Sequence, residues 1–297
     1  MNRRDEKEIS WGRQILEDPS AFAKMDTSHC KEGHHPYDRV ILPKQLNLID
    51  SKDPISWLVK SFLPHVDSKN LFFIDVGANA GQFVIPIRKH GHEVISFEPV
   101  PSTCKKLKDN LAKEGLTSTV YCKAVSDKVS TVQFVTDGGA DTSFHQAFHK
   151  DHGRQNVSIS TTTIDLTIPK NKTTLLLKTD TQGYELQVLK GASQLLDSGK
   201  VKFIAVEFSY GLLTAAGTNP LDILNFLADR NYICTHFGFH TMIEKGIFGE
   251  PNNMPKIEGT SISFEHLVEL VHNVPEEWGG IGKSGWTDLL CWQSCWE

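Results

Sequence analysis

Leu71-Phe72-Phe73-Ile74-Asp75-Val76-Gly77-Ala78-Asn79-Ala80-Gly81 decides how this chain of 297 residues is read. Six residues, five of them apolar, run into a turn bounded by two glycines. A short and nearly unbroken apolar run is how a parallel strand buried on both faces reads. The turn opens a segment expected to be helical to about His90, with Gly91 as its stop. Pro86 lies inside that segment and is expected to remove one helical hydrogen bond.

Outward from this stretch the rhythm repeats. Glu93 to Phe97 reads as a second strand. Ser102 is placed to cap a helix whose apolar face is Cys104, Leu107 and Leu111, ended by Gly115. Thr119 to Val125 and Thr131 to Val135 read as further strands. Leu175 to Asp180 is another buried one, followed by a single helix with Val188, Leu189, Ala192, Leu195 and Leu196 on its face. Phe203 to Phe208 is a strand, and Asn219-Pro220 is a cap with proline at the first helical position. Leu221 to Arg230 follows as helix, and Tyr232 to Phe237 as strand. Such alternation means a parallel sheet with helices on both faces and ligands at the carboxyl ends of the strands.

Three parts are expected: a helical cap over 1–68, the α/β core over 69–240, and an extension over 241–297. The extension holds four of the six tryptophans, and Asp288 to Trp292 within it reads as a last strand that completes the sheet. Net charge is −5, with 8 acids against 2 lysines from Glu250 to Glu297. No basic stripe is present, and the expectation is no nucleic-acid partner. No apolar run reaches the roughly 20 residues of a membrane span, so no membrane partner is expected. The N-terminal residues lack an apolar segment and carry acids, and the six cysteines are scattered. These features are read as a cytoplasmic chain with reduced thiols.

The turn carries the chemistry. Gly77 and Gly81 let the backbone approach a ligand closely, with Ala78 and Asn79 between them, and Asp75 at the strand end can accept hydrogen bonds. Glu98 closes the second strand 21 residues after Gly77, followed by Pro99. An acid there is placed to accept both hydroxyls of an adenosine ribose. The turn is neither G-x-G-x-x-G nor a Walker loop. It suits an adenosine ligand without a pyrophosphate, and S-adenosylmethionine is one.

Phe73 to Gly81, then Phe97-Glu98-Pro99-Val100-Pro101, resembles the FkbM family of S-adenosylmethionine-dependent methyltransferases. Leu177-Lys178-Thr179-Asp180-Thr181-Gln182-Gly183-Tyr184-Glu185-Leu186 is similar to a second family block. Thr163-Ile164-Asp165-Leu166 and Ile204-Ala205-Val206-Glu207 flank it. The resemblance covers roughly residues 71–240 and departs at Gln182, where the family usually has Glu. It implies a class I methyltransferase fold, Rossmann-like α/β, with a seven-stranded, mostly parallel sheet whose last strand is antiparallel. It also implies O-methylation of a hydroxyl on a sugar or other small molecule.

An alcohol that takes up a methyl group must lose a proton to a base. Asp180, Glu207, Glu185 and His145 are the candidates. Asp180 and Glu207 end buried strands, and Glu185 opens a helix, where an acid also suits the helix dipole. His145, His149 and His152 are spaced as on one helix face, but no acid or cysteine completes a metal shell; no metal ligand is assigned and metal dependence stays open. Ser126 and Asp127 end the third strand, near where adenine is expected. Two other readings are an NAD-linked oxidoreductase, opposed by the missing third glycine, and a non-catalytic scaffold, whose only support is Gln182.

Overall fold

The computed structural model describes residues 39–41, 63, 71–136, 155–237, 261–273 and 285–293. The segment read as an N-terminal helical cap lies mostly outside them.

The strands are β1 (Arg39–Ile41), β2 (Phe72–Val76), β3 (Glu93–Phe97), β4 (Thr119–Tyr121), β5 (Ala124–Val125), β6 (Thr131–Thr136), β7 (Gln155–Thr162), β8 (Thr174–Thr179), β9 (Val201–Ser209), β10 (Tyr232–Phe237), β11 (Ser261–Ser263) and β12 (Trp286–Gln293). The helices are α1 (Val84–Lys89), α2 (Pro101–Lys113), α3 (Ile164–Thr167), α4 (Glu185–Lys190), α5 (Ser193–Asp197), α6 (Tyr210–Ala215), α7 (Pro220–Ala228) and α8 (Phe264–His272).

The main sheet runs β11-β1-β10-β12-β9-β8-β2-β3-β4. Its seven strands from β10 to the β4 edge are parallel except β12, which is antiparallel to both its neighbours. This is the expected seven-stranded sheet. β1 and β11 extend it to nine strands among the described residues. Chain order reverses between β2 and β8, and that is where ligands settle in such sheets.

Burial explains the apolar runs. Phe72, Ile74 and Val76 pack on one face with Leu177, Leu189, Ile204 and Leu224. Phe73, the alternate residue, packs on the other with Ile87, Leu107, Phe203 and Trp292. Both faces are covered, so period-2 patterning is absent from the central strands. Each such side chain contributes about 1.5–3 kcal/mol relative to leaving it in water.

Pro86 is the third residue of α1; the residue before it, Ile85, donates its N–H to the Gly81 carbonyl at 3.0 Å, and Pro86 has no N–H to continue that series. Several local expectations change. The second helix begins at Pro101 with Val100 as its cap, so Ser102 lies inside it. The helix after β8 breaks into α4 and α5 at Gly191-Ala192. A Cβ on Gly191 would meet the Ser126 carbonyl oxygen at 2.1 Å, so close contact with the β5 loop shapes this break. The expected strand from Thr119 to Val125 is two: β4 in the main sheet, and β5 in a small sheet ordered β5-β7-β6.

The expectation of reduced thiols is corrected. Cys104 of α2 is bonded to Cys122 just after β4, and Cys234 to Cys291 across β10 and β12. Among the described residues no cysteine is free. The cross-strand pair follows from register, which sets Cys234 directly opposite Cys291. Scattered spacing hid both pairs, because each is closed by sheet topology and not by a local motif. No helix among the described residues is long and apolar enough to cross a membrane.

Candidate active site

The turn after β2 consumes its own donors. The N–H groups of Gly77 and Ala78 both donate to the Phe97 carbonyl, at 3.0 Å each. Asn79 N–H donates to Glu98 Oε2 at 2.9 Å, and Ala80 N–H to Asn79 Oδ1 at 2.7 Å. Gly81 N–H donates to the Ala78 carbonyl at 3.0 Å. No N–H of this turn is left for a pyrophosphate, which a dinucleotide loop must cradle. An uncharged adenosine moiety needs no such donors.

Gly77 is held from two sides. Its φ is +80°, and a Cβ there would fall 1.8 Å from the Asp180 carbonyl oxygen. Asp180 N–H in turn donates to the Val76 carbonyl at 3.1 Å. The first residue beyond β8 is thus pressed against the cofactor turn.

Glu98 is buried at the end of β3. Oε2 accepts from Asn79, and Oε1 accepts from Val100 N–H at 3.0 Å. Burial pushes its carboxyl up, and the two backbone donors offset part of that. Each oxygen keeps a lone pair for a ribose hydroxyl. Pro99, half-buried, separates Glu98 from the Val100 donor. Ser126 and Asp127 follow β5 in the small sheet. Ser126 is buried, with its hydroxyl donating to Asp127 Oδ1 at 2.9 Å, and Asp127 is exposed.

Asp75 is fully buried, and Lys178 is its partner. Register places the two side by side on β2 and β8. Lys178 Nζ lies 3.1 Å from Asp75 Oδ1 and 3.5 Å from Asp180 Oδ2, and donates to the Gly77 carbonyl at 2.9 Å. Burial alone would lower this ammonium. The carboxylates of Asp75, Asp180 and Glu207 reverse that and hold it protonated well above the usual lysine range.

On the other side of the reversal, the carboxyl ends of β8, β9 and β12 gather acids. Thr179 is level with Val206, and the next step outward brings Asp180 beside Glu207. Asp288 lies directly opposite Glu207 on β12. Gln182, at φ +56°, turns its amide inward: Nε2 donates to Asp180 Oδ1 at 3.2 Å and to Glu207 Oε1 and Oε2 at 3.1 and 2.9 Å. Burial, then the charges of Asp180, Glu185 and Asp288, push Glu207 well above the carboxylate range.

Glu185 is also buried but turns back on its own loop. It accepts from Thr181 N–H and Oγ1, and from Gly183 N–H, at 2.8 to 3.2 Å. Burial pushes it up to about 7 despite these donors. Its geometry is that of a clasp on residues 181–183.

Of the four catalytic candidates, the structure brings Asp180 and Glu207 together, places Glu185 behind them, and leaves His145 outside the described residues, as are His149 and His152. Sequence reading named neither Asp288, whose place depends on an antiparallel register, nor Lys178 among the site residues. A lysine in a run otherwise rich in leucine was the available signal. Among the described residues no three His, Cys, Asp or Glu side chains are arranged to hold a metal.

No curated protein matches the chain. Solved structures do. An rRNA methylase from Streptococcus thermophilus is 11% identical, covering 82% of this chain and 98% of its own, with a TM-score of 0.43. A putative tRNA (m1A22) methyltransferase from Streptococcus pneumoniae is 10% identical over 81% and 69%, TM-score 0.38. A putative methyltransferase from Streptococcus mutans, in complex with SAH, is 10% identical over 76% and 90%, TM-score 0.40. At such identity the likeness is one of fold: class I methyltransferase. Two of these three are named for RNA, and the expectation that excludes a nucleic-acid partner is withdrawn. A model of the methyltransferase FkbM domain matches residues 75–234, more than half of the 297, and with the turn, the acid at the end of β3 and the sheet already described, the chain belongs to that family and is an S-adenosylmethionine-dependent methyltransferase.

Proposed function

We propose that this enzyme methylates a hydroxyl on a sugar or other small molecule, with Asp180 as the group that accepts the proton. When bound, the sulfonium supplies a methyl group already activated for displacement. An alcohol oxygen held at the carboxyl edge would take that methyl, the electron pair of the carbon–sulfur bond staying on sulfur. The alcohol proton passes to the Asp180 carboxylate. The protein's main work is to hold oxygen and methyl in line, which is worth several kcal/mol of barrier.

One observation carries this reading. Asp180 joins the two halves of the site: its backbone touches the cofactor turn at Gly77, and its side chain, 41% exposed, opens onto the carboxyl edge. Asp75 is sealed by comparison and acts through Lys178. In this reading Gly77, Ala78, Asn79 and Gly81 shape the surface under the methionine end. Glu98 with Pro99 takes the ribose, and Ser126 with Asp127 borders the adenine. Glu207 is the companion acid, and Glu185 fastens the loop. The disulfides support an oxidising compartment over the cytoplasm.

Asp180→Asn tests it. Fold and cofactor affinity are expected to persist, while turnover falls by roughly a hundredfold, the scale of a positioned base. Acceptors are screened from two panels, small-molecule hydroxyl compounds and RNA, with labelled cofactor. Transfer to RNA alone would overturn the small-molecule reading. Near-normal turnover of Asp180→Asn would remove Asp180 from the chemistry.

A further inference from the structure

We propose that the Cys104–Cys122 disulfide is a redox latch on the cofactor pocket, a thiol–disulfide exchange site whose closure tightens the binding of S-adenosylmethionine. The inference rests on the reading that Glu98 takes the ribose and that Ser126 with Asp127 borders the adenine.

The bond joins the elements that carry those groups. Cys104 lies in the first turn of α2, which opens directly after Glu98-Pro99-Val100, and Cys122 lies between β4 and Ser126. Glu98 N–H donates to the carbonyl of Tyr121, the residue before Cys122, at 3.0 Å. α2 in turn backs the turn after β2: Asn110 Nδ2 donates to the Ala80 carbonyl at 2.9 Å, and Leu107 lies 2.7 Å from where a Cβ on Gly81 would sit. One covalent link therefore ties the helix behind the turn to the chain that runs from the ribose acid toward the adenine side.

Opening the link should loosen that chain and leave the core intact. α2 is anchored independently by the buried side chains of Leu107 and Leu111. The Cys122 side has less to hold it. β4 is three residues long, ends the main sheet among the described residues and pairs with β3. β5 is two residues long and belongs to the small sheet. Cys122 and Lys123, both exposed, bridge the two sheets. With the disulfide closed, this bridge is ordered before the cofactor arrives. With it open, binding must supply the ordering, and affinity falls.

The two disulfides differ in access. Cys234 and Cys291 are both buried, on β10 and β12, with β1 and β9 on either side of that strand pair. Cys104 is buried as well, but Cys122 is exposed, so a thiolate can arrive from solvent at that end. A dithiol opens the latch in two exchanges. Its first sulfur bonds to Cys122 Sγ as the bond to Cys104 breaks, and Cys104 leaves with the electron pair. Its second sulfur then displaces Cys122. The dithiol is oxidised to a disulfide, and its two hydrogens end on Cys104 and Cys122. A disulfide such as oxidised glutathione closes the latch by the reverse exchanges.

The test compares the full chain as oxidised with the same chain held in dithiothreitol without denaturant. Acid quenching, unfolding, alkylation and peptide mass spectrometry report which cysteines were reduced. Cys104 and Cys122 are expected to be alkylated while Cys234 and Cys291 stay paired, with circular dichroism unchanged. By calorimetry S-adenosylmethionine is expected to bind the reduced chain about tenfold more weakly, the scale of ordering one further residue. Oxidised glutathione is expected to restore the affinity. Cys122→Ser should bind as the reduced wild type does, with or without dithiothreitol. Equal affinity in the two redox states, loss of the fold on reduction, or a Cys104–Cys122 pair that resists dithiothreitol would each overturn the proposal. So would a redox response that persists in Cys122→Ser, which would lie with other cysteines. Failure of the ribose reading is distinguishable: Glu98→Gln judges that reading in the oxidised chain, whereas the latch is judged by the difference between redox states.

Discussion

The two edges of the site are built on opposite principles. On the cofactor edge, formed by β2, β3 and the turn between β2 and α1, most polar groups are assigned, although Asp75 Oδ2 is buried without a hydrogen-bond partner. Glu98 has two backbone donors, Asp75 has Lys178, and the turn satisfies its own N–H groups. On the acceptor edge, formed by β8, β9 and β12, acids outnumber donors, and Glu207 is pushed well above its ordinary range by burial and neighbouring charge. The first edge is preorganised for a ligand of fixed shape. The second stores electrostatic strain, the form in which proton-transfer groups are usually tuned.

The largest effect should come from breaking the cofactor edge at its centre. Lys178→Met leaves Asp75 buried without a partner, and removal of one member of a buried pair costs about 3–5 kcal/mol. The double variant Asp75→Asn, Lys178→Met should recover most of the loss, since neutral groups need no counter-charge. Urea denaturation of the three variants reads this directly. A Lys178→Met loss below about 1 kcal/mol would mean that water reaches the pair.

Next comes Gly77→Ala. The added Cβ meets the Asp180 carbonyl at 1.8 Å and also demands a positive φ. Gly91, at φ +82°, has nothing within 4 Å of a built Cβ. Gly91→Ala should therefore show the conformational penalty alone, about 1 kcal/mol. Gly77→Ala should cost about 3 kcal/mol and weaken cofactor binding, because the clash separates the two edges. Equal losses at both positions would show that contact with Asp180 does not matter.

A third comparison sharpens the ribose assignment. Glu98→Gln retains one acceptor oxygen but loses the charge that receives two backbone donors. Affinity for S-adenosylmethionine by calorimetry should fall by about 2 kcal/mol. Unchanged affinity would detach Glu98 from the ribose.

Much of the cofactor edge was legible in the chain, because it is local. Asp75 to Gly81 and Glu98 are joined by one strand–turn–helix–strand unit, and the apolar runs announce strands covered on both faces. The acceptor edge is not local. Asp180, Glu207 and Asp288 meet only because β8, β9 and β12 are neighbours, and the last of these runs antiparallel. Asp180 and Glu207 were identified as acids at the ends of apolar strands, while Asp288 was read only as the start of a last strand. Gln182 was visible as a departure at one position, yet where its amide reaches depends on the left-handed turn that carries it. The cysteine pairs escaped for the same reason: Cys234 and Cys291 are 57 residues apart and become neighbours only through sheet order.

The smallest expected effect separates a loop clasp from a titrating partner at the acceptor edge. Glu185 has an ordinary value of 4.5 and is raised to about 7 by burial in the folded chain. The folded state therefore binds more protons than the unfolded one between those values, so stability contributed by this group is full below about 4.5 and is lost as pH rises to about 7. Glu207 is shifted in the same direction and adds to the slope. Glu185→Gln should flatten the fall in stability across this window without abolishing it. The net change at pH 7 should remain within about 1 kcal/mol, because relief of the buried charge is offset by donors on Thr181 and Gly183 that a single amide oxygen cannot all satisfy. Urea denaturation at intervals from pH 4.5 to 8 reads the slope. A variant profile parallel to the wild type would mean that Glu185 is ionised throughout, and that its clasp on residues 181–183 is strong enough to cancel burial.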